Sequence, residues 1–380
     1  MVTVTIIGGG VIGLSTAVML DEHPQSDNLN IRILEKENSL GSKSTAAAGC
    51  GMRTLYRHDT NLELARRGLR FWSNAEPILG QEIGFRRNGY LFLTNNQQTR
   101  ETLNKQSQKQ HINGFNSEIN PGKTKTKGID NLGLSNYSFS LYLPNSGLAS
   151  PNKIVSALQN KINKSDISVC TDTQVLDLKR GGDQWDVLCE DGKLRSDYVV
   201  NAAGAWAGQV AKMVDTNLPI KNTRRRLSKM DRSVDPDTPL TVDIDTGAYI
   251  LPDEDGTLLA GGNLLDGMDR YDENDPSSFS LSIDEDWNKK FRSAASNIDN
   301  SLSNATIVDS WTGLYAMTES RVPIISENKG IIHACGFSGH GIMQAPGAGH
   351  IVSRIICEGY NPMLRGLGIN NRPDSTDIQF

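Results

Sequence analysis

The tightest constraint on this chain lies in its first 35 residues. Val2 to Ile7 is a β-rich apolar run that breaks at Gly8-Gly9-Gly10 and resumes as an apolar, helix-compatible stretch through Leu20. Ile31 to Leu34 supplies a second strand, closed by Glu35. Gly8, Gly10 and Gly13 therefore form G-x-G-x-x-G between a strand and a helix, with an acid about twenty residues on. The first glycine permits the turn, the second lets a pyrophosphate approach the backbone, and the third lets the helix pack on the strand. The helix N-terminus then faces the negative charge. Glu35 can accept hydrogen bonds from ribose hydroxyls, which favours an adenosine without a 2′-phosphate. This pattern predicts a dinucleotide site on a Rossmann-like α/β fold, and by itself it does not separate NAD from FAD.

At 380 residues the chain can build two packed domains. The balance of 39 basic and 44 acidic residues gives −5, and the Lys/Arg clusters are short. No large basic face is available for phosphate backbones, so no nucleic-acid partner is expected. Five cysteines (Cys50, Cys170, Cys189, Cys335, Cys357) without a C-x-x-C pair argue against a disulfide framework and against a structural zinc site. No metal is expected. The N-terminus lacks the marks of a signal peptide, and charges interrupt every apolar segment, so the expectation is a soluble, cytoplasmic protein with no membrane span.

Farther along, Leu62, Ala65, Leu69 and Trp72 fall at helical spacing. Residues 95–135 are rich in Asn, Gln, Lys and Thr with little periodicity, which predicts exposed peripheral structure or a mobile loop without chemistry. Ile154 to Ile162 reads as a helix, and Val175–Leu178, Trp185–Cys189 and Tyr198–Asn201 as strands. Leu240 to Gly262 reads as strands around a Pro252–Gly256 turn, followed by a helix carrying Trp287, Phe291 and Ala295, which suggests a separate α+β unit. The C-terminal part returns to strand (Ile331–Cys335), glycine turn (Gly336–Gly341) and an apolar helix to Glu358.

Gly336-Phe337-Ser338-Gly339-His340-Gly341-Ile342-Met343-Gln344-Ala345-Pro346-Gly347 selects between the cofactors. With the opening glycines, Leu34-Glu35-Lys36 and Val199-Val200-Asn201-Ala202-Ala203-Gly204-Ala205-Trp206, it resembles the FAD-dependent D-amino-acid oxidase superfamily, and within it the sarcosine-oxidase and dimethylglycine-dehydrogenase branch. The four motifs run in family order from the first strand to the last helix, and residues 95–135 carry none of them. The resemblance implies a Rossmann-like FAD-binding domain assembled from 1–80, 145–215 and 305–380, and a second α+β antiparallel-sheet substrate domain from 81–144 and 216–304. It implies that Val11 and Ile12 line the pyrophosphate turn and that Glu35 and Lys36 meet the ribose. Ser44 and Thr45 would lie along the phosphates and ribityl chain, Val175 would contact adenine, and Gly204 would sit beside the cofactor. Gly339, Gly341, Ile342 and Met343 would present a helix start to the flavin pyrimidine ring. A helix N-terminus stabilises the negative charge that reduction places on that edge of the ring. Pro346 near the first turn and Gly359 after the last suit such a helix.

For substrate, the resemblance points to Arg53, in Gly49-Cys50-Gly51-Met52-Arg53, near the reactive face of the flavin, where a guanidinium could bind a carboxylate; a structural arginine between domains is the alternative. Arg57 and His58 are weaker candidates. Tyr315, within Gly313–Thr318, is a candidate hydrogen-bond donor to substrate or a buried tyrosine with a satisfied hydroxyl. His340 could contact flavin or cap the turn; an acid–base role is disfavoured because hydride transfer from a neutral amine needs no strong base. Glu319 and Arg321 could pair or gate the pocket, and Arg224-Arg225-Arg226 reads as a solvated face from which one arginine could turn inward. Three departures from the family matter. Gly313 stands where some sarcosine oxidases carry the cysteine that links FAD, so non-covalent FAD is expected and Cys50 is a packing residue. Leu259 falls where some members place an oxygen-activating lysine, which favours a dehydrogenase over an oxidase. Met343 replaces a carboxylate-binding lysine, so substrate identity does not carry over.

The expectation is an FAD-dependent oxidoreductase acting on the CH–NH bond of an amino acid or N-methylated, sarcosine-like amine, giving an imine that hydrolyses. Electrons would pass slowly to oxygen or to another acceptor, in a homo-oligomer or with an electron-accepting subunit. One alternative is a D-amino-acid or proline dehydrogenase subunit. Another is a non-catalytic, FAD-stabilised assembly factor, since Gly336–Gly347 also looks like the matching stretch of a respiratory-complex assembly flavoprotein.

Overall fold

The apolar strands near the N-terminus are buried on both faces, as a parallel sheet requires. In the computed structural model, which describes residues 1–120, 132–262, 271–272, 276–278, 285–359 and 366–369, they form the centre of a six-stranded sheet. Its order is Ile324–Asn328, Ile331–Cys335, Tyr198–Asn201, Val2–Ile7, Leu29–Leu34, Ser168–Cys170, parallel except for the hairpin of the first two. Alternation divides the burial. Val4, Ile6, Ile31 and Ile33 pack with the helices Val11–Asp21, Pro151–Ile162 and Gly341–Glu358, whereas Ile7, Leu34 and Val199 pack with a three-stranded sheet over Val175–Ser196.

The closing helix, Gly341–Glu358, lies against the opening one closely enough that a Cβ on Gly349 would stand 2.7 Å from the Ser15 carbonyl oxygen. The amphipathic helix, Asp59–Trp72, packs on it too. Pro346 lies just past the first turn, inside the closing helix. A proline has no N–H, so the carbonyl four residues back, that of Ile342, loses its helical donor. The Trp72 indole N–H supplies the replacement at 2.9 Å.

A nine-stranded, mostly antiparallel sheet forms the other layer. It runs Tyr271–Asp272, Lys221–Ser233, Thr257–Gly262, Ala248–Pro252, Leu240–Asp243, Tyr90–Thr94, Phe139–Leu143, Glu118–Ile119, with Ile307–Met317 also paired to Lys221–Ser233. Ile307–Met317 lies within the 305–380 segment expected to hold cofactor, yet its hydrogen bonds join it to this second sheet. One sheet face, with Leu91, Leu93, Ile250 and Leu258, packs against the helix Glu285–Ala295 through Trp287 and Phe291. Tyr90, Phe92, Leu240, Val242 and Tyr249 line the opposite, cavity side.

Two sequence expectations are corrected here. Within 95–135, Gln97–Ile112 is a helix, capped where the Asn96 Oδ1 accepts the Thr99 N–H at 3.0 Å. It buries Leu103 and Gln110, and Gln110 bonds Thr54 twice, through its Oε1 and its Nε2, each at 2.7 Å. Polar groups satisfied by hydrogen bonds replace the apolar stripe, so periodicity could not reveal this helix. Residues 121–131 of that stretch lie outside the described residues. Arg224–Arg226 is strand rather than solvated face: Arg226 is 3% exposed over the Trp287 ring, and Arg225 looks into the cavity. Among the described residues, no helix is long and apolar enough to cross a membrane, and no group of three or more His, Cys, Asp or Glu could hold a metal.

Candidate active site

A cavity of about 440 Å3 runs from the opening glycine turn to the inner face of the second sheet. The residues that the resemblance places at the cofactor line it, Gly13 excepted, as do Arg53, Tyr315, His340 and Arg321, whereas Glu319 does not. Gly13 does the packing instead, since a Cβ there would stand 1.9 Å from the Gly8 carbonyl oxygen. At Gly10 the nearest atom to a Cβ is Thr45 Oγ1 at 3.5 Å, and Gly10 borders the cavity. The protein thus leaves room at the backbone where a pyrophosphate would approach, and the residues present fit an adenine dinucleotide.

The surrounding groups are fixed by short local bonds. Thr45 Oγ1 accepts the Val11 N–H at 3.2 Å, and Ser44 Oγ donates to the Leu314 carbonyl at 2.7 Å, tying this segment to the second sheet. The Glu35 carboxylate accepts the N–H groups of Gly9 (2.7 Å) and Glu37 (2.9 Å), which orients it at the mouth of the turn. Lys36 places its ammonium 3.6 Å from the Trp206 ring centroid. Ile12, Val175 and Gly204 complete this end.

At the other end the chain turns through Gly336, Ser338 and Gly339, all with positive φ, into the closing helix. Ser338 anchors the turn: its N–H donates to the Ala316 carbonyl at 2.9 Å and its Oγ accepts the Thr318 N–H at 3.0 Å. His340 is the N-cap residue but its side chain makes no cap bond. Its Nε2 lies 3.2 Å from Arg53 Nη2. A guanidinium only donates, so in this contact Nε2 is the acceptor, which calls for the tautomer that carries its proton on Nδ1.

Arg53 is 6% exposed and follows the short strand Gly51–Met52, which pairs with Gly147–Leu148. Its Nη1 donates to the Leu55 carbonyl, and its guanidinium sits 4.5 Å from the Tyr56 ring centroid. Met343 is drawn into the same cluster, its sulfur accepting the Arg53 backbone N–H at 2.9 Å and facing the Tyr56 hydroxyl at 3.6 Å. The Tyr315 ring covers Gly339, where a Cβ would stand 2.3 Å from it. Burial raises the Tyr315 and Tyr90 hydroxyls above the usual phenol range, and Tyr56 to about 12, against the lowering effect of Arg53. These phenols remain donors at neutral pH. Burial likewise pushes the Cys50 thiol up to about 12, which makes it no nucleophile.

Leu259 does not line the cavity; it is buried in a cluster with Leu227 and Leu251. That position presents no cation to the cavity, which is what the preference for a dehydrogenase drew on. Arg57 and His58 do not border the cavity either. Tyr90, Phe92 and Tyr249 do, and were missed, and Arg225 is the arginine of its run that turns inward. Their signal is period-two alternation on strands far apart in the chain.

The FAD dependent oxidoreductase (DAO) family matches residues 3–355. A 4-methylaminobutanoate oxidase (formaldehyde-forming) from Paenarthrobacter nicotinovorans is 27% identical over 376 residues, covering 94% of this chain and 44% of its own length, so the chain spans less than half of that relative. A glycerol 3-phosphate dehydrogenase from Caloramator mitchellensis is 25% identical over 388 residues, covering 97% and 78%. Among solved structures, L-proline dehydrogenase from P. horikoshii superposes with a TM-score of 0.86 at 22% identity, covering 97% of this chain and 96% of that one, which establishes a shared fold.

Proposed function

The chain belongs to the FAD-dependent oxidoreductase family, and on that premise we propose that it takes a hydride from the carbon next to nitrogen of an amino acid or N-methylated amine, leaving an imine that water hydrolyses. FAD, held without a covalent link, supplies the hydride acceptor. Gly8 and Gly10 with the N–H group of Ile12 would hold the pyrophosphate, the Val11 N–H being taken up by Thr45, and Glu35 would hold the ribose. The first-turn N–H groups of Gly341, Ile342 and Met343 stabilise the negative charge that reduction creates. On this reading the six-stranded sheet carries the cofactor and the nine-stranded sheet, including Ile307–Met317, carries the substrate wall.

Arg53 binds the substrate carboxylate and Tyr315 donates a hydrogen bond to it. His340 holds Arg53 in place and moves no proton, so the amine must arrive neutral. The observation that carries the reading is the buried Arg53 guanidinium, packed through His340 against the start of the closing helix. The similarity to a glycerol 3-phosphate dehydrogenase favours a second reading, in which the same cation meets a phosphate and the hydride leaves an alcohol carbon.

Anaerobic addition of sarcosine, proline, D-amino acids and glycerol 3-phosphate to the FAD-loaded protein tests both. Bleaching of the flavin by an amine is the expected result. Bleaching by glycerol 3-phosphate alone overturns the proposal in favour of the second reading, and a flavin that nothing reduces leaves an FAD-stabilised scaffold.

A further inference from the structure

Besides Arg53, two more arginines line the cavity, Arg225 and Arg321. Arg225 lines it from the long strand Lys221–Ser233, directly opposite Gly313 on Ile307–Met317. Directly opposed residues share a sheet face, and the next residue on that face, Tyr315, is the diagonal neighbour of Arg225. With no side chain at Gly313 to intervene, the Arg225 guanidinium reaches to 5.6 Å from the Tyr315 ring centroid.

A continuous set of contacts then joins Arg53 to Arg225. Arg53 meets His340 at 3.2 Å, Gly339 precedes His340, the Tyr315 ring covers Gly339, and Arg225 lies on Tyr315. Along this arc the two guanidiniums and a phenol that burial keeps protonated are donors, and the one side-chain acceptor, His340 Nε2, is taken up by Arg53. Glu35, the one carboxylate among the described residues lining the cavity, has both oxygens engaged by the N–H groups of Gly9 and Glu37. A substrate laid along the arc therefore meets a cation at each end.

Resting on the oxidoreductase reading above, we infer that the substrate is an amine carrying two acid groups, one held by Arg53 and the other by Arg225. The distal acid is a carboxylate or a phosphate ester, which share the bidentate geometry a guanidinium recognises.

The test uses unreactive ligands on the FAD-loaded protein, read by perturbation of the flavin absorbance. Dicarboxylates from malonate to adipate are titrated against monocarboxylates of equal length, with ω-phosphonocarboxylates as a third series. The best two-acid ligand is expected to bind about 30-fold tighter than its one-acid counterpart, the scale of one charge-assisted hydrogen-bonded pair. Phosphonates that outbind dicarboxylates assign the distal group as phosphate; the reverse order assigns it as carboxylate. Arg225→Gln is expected to collapse the ratio, and Arg225→Lys to restore part of it. Two-acid ligands that bind no tighter than one-acid ligands overturn the inference on the unmodified protein, whatever becomes of the variants. Flavin reduction by amines is measured separately, so failure of the proposed chemistry and failure of the two-acid site give different results.

Discussion

The two ends of the cavity are built on different principles. The glycine-turn end is a backbone device. Gly8, Gly10 and Gly13, one hydroxyl on the Val11 N–H and one acid on the Gly9 N–H all come from the first 45 residues. The other end is a side-chain device. Arg53, Arg225, Tyr315 and His340 come from a short link, two long strands and a helix cap, and meet only when both sheets are in place. A backbone cradle depends on absent side chains and fails when one is added. A side-chain wall fails when one is removed, and it changes ligand rather than fold.

Glycine substitutions give the largest expected effect and divide the first end within itself. Gly13→Val drives atoms into the Gly8 carbonyl, a backbone group that cannot yield, and is expected to give no folded protein. Gly10→Val meets only Thr45 Oγ1 at 3.5 Å and is expected to keep native circular dichroism while retaining no FAD. Flavin content per folded chain checks this. Full flavin content in Gly10→Val would break the assignment of that turn to the cofactor.

The same contrast decides how much could be read from the sequence. The glycine-turn end was legible because its parts are contiguous and each glycine has a fixed mechanical task. The closing turn from Gly336 to Gly341 was legible for the same reason. Arg225 was not: only the register that sets it opposite Gly313 and beside Tyr315 distinguishes it from Arg226, which turns to Trp287 on the far face. Nor was Gln97–Ile112, whose buried Gln110 is satisfied by Thr54 rather than by apolar contact. A pairing between residues as far apart in the chain as Arg225 and Gly313 leaves no mark in local pattern.

Acid should loosen the six-stranded sheet selectively. His333, on the strand Ile331–Cys335, is buried, and the Asn201 side-chain amide donates to its Nδ1 at 3.1 Å while also donating to the Ala207 carbonyl at 2.9 Å. Burial lowers its pKa from 6.5 to about 4. The unfolded chain therefore binds more protons between those values, and folding stability falls as pH drops through that window, by at most about 3 kcal/mol. Denaturant midpoints measured between pH 7 and 4 should follow this slope, and His333→Gln should flatten it. An unchanged slope in the variant would remove His333 as its source.

On the substrate side, Arg53→Ala is expected to raise KM for carboxylated amines about 100-fold while flavin content is kept, the scale of a charge-assisted pair lost from a buried site. An unchanged KM across such amines would make Arg53 a structural arginine and leave Arg225 as the carboxylate anchor.

Tyr315→Phe probes a single donor and carries the smallest effect. The ring keeps its place over Gly339 and under Arg225, so packing is preserved and only the hydroxyl is lost. One hydrogen bond to a charged ligand is worth about 1.5 kcal/mol, so kcat/KM should fall about tenfold. Because burial raises the Tyr315 pKa, the loss should be constant across neutral pH rather than appear on one limb of the profile. A tenfold loss in kcat/KM with FAD affinity unchanged places the hydroxyl on substrate. A loss of FAD with no change per bound flavin would move Tyr315 from the side-chain wall to the cofactor cradle, and the division between the two ends would have to be redrawn at Gly339.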